Sequence, residues 1–191
     1  TTRPLSILSD FVVEELPVIL RTIDSEESQL FLTTRTEKLI KLLENQPICD
    51  NVISLLDLTF LEAAFYANQL EIPQGLISLT NSYANHFCLP PMLTYELIIL
   101  VNPSHDLRLF SLKETGEHEK LFYQCHKNVE ANLYPLATFL LGIAIENKFD
   151  PKSLRQLRTL VPKIKAAVEQ MLELKSQMSA SEYEIFRRYF T

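Results

Sequence analysis

The stretch Asn51–Leu70 carries apolar side chains on almost every side of a helical projection: Val52, Ile53, Leu55, Leu56, Leu58, Phe60, Leu61 and Phe65. A helix that is apolar all round has to be buried, so the rest of the chain must supply helices to enclose it. Tyr66 sits near its end and is read as core. Phe11–Ile23 has an apolar stripe broken by Pro17, which predicts a helix that restarts with the proline near its first turn. Ser25–Asn45 continues with Leu30, Leu32, Leu39, Ile40, Leu42 and Leu43, its charges forming a solvated face. After Ile72-Pro73-Gln74-Gly75, a shorter helix is predicted over Leu76–Phe87, ended by Leu89-Pro90-Pro91, because paired prolines force an extended corner. Met92–Val101 predicts another apolar helix, and Asn102–Gly116 is the longest loop.

Two further starts are written into the sequence. Asp150-Pro151 offers an N-cap and a first-turn proline, followed by Leu154, Leu157, Leu160, Val161, Ile164, Val168, Met171 and Leu172 at helical spacing. Ser181-Glu182-Tyr183-Glu184 has capping-box form and opens a last segment, Tyr183–Phe190. With no strand-period run, only 3 Gly and 47% apolar residues, the chain reads as all-α, one domain or one and a part.

The stretch His118–Pro135 carries the one constellation of chemical interest. Phe122, Cys125, His126, Val129 and Leu133 share a face at i, i+3, i+4, i+7 spacing, which predicts a buried helix side. Glu119, Lys120, Gln124, Lys127 and Asn128 occupy the other side, and Pro135 should kink the helix about one turn earlier. An imidazole on an apolar face has two readings. It lines a pocket for a flat ligand or a bound gas, or it is a hydrogen-bonded core residue, the commoner outcome.

Charge and composition exclude several classes. A net charge of −6 and a pI near 5.3, with no Lys/Arg cluster, argue against nucleic acid as a partner. Cys49, Cys88 and Cys125, an odd number without metal-ligand spacing, point to a reducing cytoplasm. No apolar run approaches a membrane span: the longest, Leu133–Ile145, is interrupted by Pro135 and Gly142 and reads as a buried core helix. The start at Thr rather than Met is read as missing or processed residues. There is no phosphate-cradling glycine loop, no HExxH, no zinc-type cysteine pair and no G-x-S-x-G elbow. His105 and His118 belong to a polar loop and are expected in solvent, whereas His86 could cap a helix end.

Five stretches in order resemble the amino-terminal half of the indoleamine 2,3-dioxygenase family, including its relative monodechloroaminopyrrolnitrin synthase. They are Phe11–Leu20, Asn51–Gln69 with Ile72-Pro73, Phe87–Tyr95 (FCLPPMLTY), Lys120–Pro135 and Met171–Thr191. The resemblance implies a small helical domain over residues 1–90 and, over 91–191, the first part of a helical haem-binding domain. It implies that His126, Phe122 and Tyr123 form the distal wall above a haem, with His126 as the catalytic candidate where indoleamine enzymes have Ser. Tyr95, Ile98 and Ile99 would line the same pocket, and Glu130 would support the helix or lie at the surface.

What the resemblance implies for partners is an indole substrate such as tryptophan together with oxygen, and haem as cofactor. An apolar, aromatic slot suits an indole ring, and a distal His could hydrogen-bond bound oxygen or the indole N–H. The family's iron-ligating His lies downstream of the Tyr-containing turn at which this sequence stops, and no His here matches it, so no metal ligand is assigned. The expectation is therefore no turnover by these residues alone. An uncovered apolar surface is expected along Phe122–Ile143 and the last helices, favouring a homodimer or a missing carboxy-terminal half. The alternative is a non-catalytic helical module that binds a partner or an apolar ligand.

Overall fold

A computed structural model describes residues 3–112, 116–146, 150–180, 183 and 187–189. Every regular element among them is helical: α1 (Arg3–Asp10), α2 (Leu16–Leu20), α3 (Glu26–Leu43), α4 (Ile53–Ala67), α5 (Gln74–Phe87), α6 (Glu117–Glu146) and α7 (Pro151–Gln177). Two π-helical segments complete the order, Phe11–Glu15 between α1 and α2 and Glu96–Val101 before the long loop. The all-α expectation holds. From Arg3 to Leu20 the chain is helical without a break, so Pro17 sits in the turn after the π segment and does not start a separate helix.

The chain forms two compact units, Thr1–Glu119 with Ala180–Thr191, and Lys120–Ser179. This boundary lies at residue 119 rather than near residue 90, because residues 96–112 are fastened to the central helix of the first unit. That helix is α4, whose side chains from Ser54 to Leu61 are all buried, along with Ala64 and Phe65. Around it pack α1, α5 and the segment Glu96–Val101, while α3 packs on α1, α2 and α5.

Three contacts explain the fastening. Arg108, buried in the loop, grips the buried Asp57 of α4 through Nε–Oδ1 at 2.7 Å and Nη2–Oδ2 at 3.2 Å. Of its other three N–H hydrogens, one goes to the Asp106 carbonyl at 2.8 Å and one to Ser9 Oγ at 2.6 Å, and Nη1 also lies 3.6 Å from the Asp106 carboxylate. Asn102 Nδ2 donates to the Arg108 carbonyl at 3.1 Å, and its Oδ1 accepts from the Arg108 N–H at 2.8 Å, closing the loop. Phe110 stacks on Phe60 of α4 at 3.8 Å and on Tyr189 at 4.0 Å, which brings the end of the chain into the first unit.

Helix ends follow local chemistry. Ser25 Oγ accepts from the Ser28 N–H at 3.2 Å and caps α3, and Asp150 Oδ1 accepts from the Ser153 N–H at 2.8 Å and caps α7. The expected box at Ser181–Glu184 falls outside the described residues except for Tyr183. Met92–Val101 is less regular than its pattern predicts: the Asn102 N–H reaches back five residues to the Leu97 carbonyl at 3.0 Å, and only Glu96–Val101 is helical in the π sense. Tyr66 also departs from expectation. It is exposed, because α4 ends one residue later and its last turn leaves the core.

In the second unit α6 runs through Pro135 and α7 through Pro162. The carboxy-terminal half of α6 is not the buried core helix that its composition predicts. Leu133, Tyr134, Leu140, Leu141 and Ile145 are exposed. Among the described residues α6 is also long and apolar enough, by length and composition, to cross a membrane, and none of its most apolar window is buried. This corrects the reading from the uninterrupted-run criterion, which stopped at Pro135 and Gly142 although the helix passes through both.

Candidate functional site

The candidate side chains of α6 lie in its first half. Phe122 and His126 are one turn apart, with ring centroids 3.9 Å from each other, and Tyr123 meets Phe122 edge-on at 6.0 Å. His126 Nδ1 donates to the Phe122 carbonyl at 2.8 Å. In the neutral ring this leaves the lone pair on Nε2. That bond is the ordinary, hydrogen-bonded reading of a helical histidine made visible, and it fixes the ring plane against Phe122.

The buried side of this helix is rotated from the predicted stripe. Tyr123 and Cys125 are buried, Phe122, His126 and Val129 are half-buried, and Leu133 is exposed. Glu119, read from spacing as solvent-facing, is buried. Its Oε1 accepts from the Phe110 N–H and its Oε2 from the Ser111 N–H, each at 2.8 Å, so the carboxylate serves as an anchor for two loop amides. Lys127, also expected in solvent, is partly buried, which lowers its ammonium from the ordinary value. Burial raises the Cys125 thiol above its ordinary value and so disfavours the thiolate.

Tyr95, Ile98 and Ile99 belong to the other unit, at the start and middle of the π segment. Tyr95 is 44% exposed, whereas Ile98 and Ile99 are sealed. Of the six candidates, Tyr95, Phe122 and His126 present surface to a ligand. Ile98, Ile99 and Tyr123 are buried and present no surface to a ligand. Glu130 is half-buried.

The remaining histidines are unremarkable as ligands. His86, in the last turn of α5, pairs through Nε2 with Asp50 Oδ1 at 2.9 Å, and His105 is exposed. Among the described residues no group of three or more His, Cys, Asp or Glu could hold a metal ion. No described residue is assigned as an iron ligand.

A separate open groove of about 850 Å³ lies in the first unit between α3 and residues 70–75, lined by Glu26, Glu37, Glu44 and Glu71 among others. Sequence reasoning did not find it, because its acids come from segments read independently as solvated. No family model, curated protein or solved structure matches this chain.

Proposed function

We propose that this chain supplies the distal wall of a haem-dependent enzyme of the indoleamine 2,3-dioxygenase type, acting on tryptophan or a related indole. The observation that carries the reading is the Phe122–His126 pair: an aromatic face and an imidazole with one nitrogen tied down, side by side on one helix. Tyr123, buried next to Phe122 in the same unit, would back it. Haem, when bound, supplies the iron that activates oxygen. Its ligand would come from outside the described residues. The role of this chain's own residues would be to exclude water with Phe122 and to place the His126 Nε2 as an acceptor for the indole N–H.

The test is a hemin titration of the full-length gene product, followed by substrate and ligand spectra of His126→Ala. Haem uptake should survive the substitution, while the spectrum of the oxygen or indole complex should change. Loss of haem from His126→Ala would make His126 an iron ligand or a structural residue and would overturn the distal-wall role. A second reading, a non-catalytic helical binding module, is favoured by the exposed apolar side chains of α6 and α7. It predicts that the full-length product takes up no hemin at all.

A further inference from the structure

The second unit carries an uncharged run and a basic helix that no part of the preceding proposal uses. From Ala131 to Ile145, α6 has no charged residue over fifteen positions, and Tyr134, Leu141 and Ile145 on that stretch are 75%, 60% and 75% exposed. Exposed apolar area of that kind costs free energy in water and marks a contact surface. The helix that follows is basic. Lys152, Arg155, Arg158, Lys163 and Lys165 fall in the first fifteen residues of α7 with no acid among them, in a chain whose 24 acidic residues outnumber its 18 basic ones.

Spacing places these charges beside exposed apolar residues. Leu154, Arg158, Val161, Lys165, Glu169 and Leu172 follow one another at steps of three and four, so they form one edge of α7, and all six are exposed, with Glu169 the one acid among them. Lys165 reaches Glu169 at 3.6 Å, an exposed pair that constrains it little. An edge that mixes exposed apolar and basic side chains, with no acid over the first fifteen residues of a basic amphipathic helix, is matched to an apolar layer covered by negative headgroups.

We propose that the second unit docks on the surface of an anionic lipid bilayer, with Leu141 and Ile145 of α6 and Val161 and Leu172 of α7 entering the headgroup boundary. Arg158 and Lys165 then lie at the level of the phosphates. The contact lies on the membrane, not across it. Although α6 as a whole is long and apolar enough to cross, its uncharged run of fifteen residues extends about 22 Å, short of the roughly 30 Å hydrocarbon thickness, and Glu146 closes it. This inference does not rest on haem, so its failure leaves the distal-wall reading intact.

Co-sedimentation of the protein, without hemin, tests it. The vesicles are neutral phosphatidylcholine in one arm and phosphatidylcholine with phosphatidylglycerol in the other. Binding to the anionic vesicles should exceed that to the neutral ones by about tenfold or more at roughly 0.1 M salt and should fall as salt rises. Arg158→Glu/Lys165→Glu should abolish that preference, and Leu141→Gln/Ile145→Gln should weaken binding to both. All four side chains are exposed, so helicity measured by circular dichroism should stay unchanged. Equal binding to both vesicles, or no binding to either, overturns the proposal. So does a dimer in light scattering that the glutamine pair dissolves while vesicle binding persists.

Discussion

Arg108 and Asp57 are 51 residues apart in sequence and both almost fully buried. Burial has the larger influence on Asp57 and pushes its carboxyl up to about 6, against the downward pull of the Arg108 guanidinium. The folded value therefore exceeds the ordinary 3.8, and the native state holds the more protons between the two. The contribution of this carboxyl to stability is full below the ordinary value and lost as pH rises through about 6. Removing the guanidinium removes the downward pull, so Arg108→Met extends that window upward. The variant should lose about 3–5 kcal/mol at pH 8, where a carboxylate is stranded in the core. At pH 5 the carboxyl is protonated and the loss should be clearly smaller. Urea unfolding at the two pH values measures this, and equal losses would refute the account. Thr36 makes the opposite case. It is fully buried, and its Oγ1 has no hydrogen-bond partner among the described residues. Thr36→Val replaces the hydroxyl by a methyl of similar size and should raise stability by about 1 kcal/mol, read from the urea midpoint.

At the scale of elements, the close approach of α3 and α5 depends on Gly75. A Cβ there would stand 2.8 Å from Ile40 Cγ2 and 3.2 Å from Glu44 Oε1. Helix propensity favours alanine by up to about 1 kcal/mol, but crowding a buried β-branch costs about 1–3 kcal/mol. Gly75→Ala should therefore be destabilising on balance. Ile40→Leu moves the branch out by one carbon, and in that background Gly75→Ala should become neutral or favourable. A double-mutant cycle in thermal unfolding decides, and additive effects would show that the contact is not the cause. This packing also marks how far the sequence can be read. Helix positions were legible because the apolar period and the cap at Asp150 are local signals. Buried Glu119 and Arg108 were not, since their partners are loop amides and a carboxylate set by tertiary position. The π segments were hidden for a related reason, as a five-residue hydrogen bond leaves the apolar pattern nearly unchanged. At the candidate site, the pairing of Phe122 with His126 follows from i, i+4 spacing. The sealing of Ile98, Ile99 and Tyr123 depends on neighbours that spacing does not reveal.

At the scale of the whole molecule, burial is distributed unevenly, and exchange kinetics should report it. In α4 ten side chains of fifteen residues are buried, so its amides can exchange only when the surrounding helices come apart. In α7 only Ala167 and Leu174 are buried along twenty-seven residues, with Pro162 interrupting the hydrogen-bond ladder midway. Pro162 divides it into stretches of eleven and sixteen residues, near the length below which an isolated helix is marginal in water. Local opening of α7 should therefore cost far less than global unfolding, which for a domain is about 5–15 kcal/mol. Hydrogen exchange followed by mass spectrometry should show α4 protected about 100-fold or more beyond α7, with the carboxy-terminal half of α6 nearer to α7. Denaturant well below the unfolding midpoint should accelerate α4 exchange more than that of α7, because global opening exposes more surface. Matching protection in α4 and α7 would mean that α7 opens only with the core, and the uneven burial would then have no energetic counterpart.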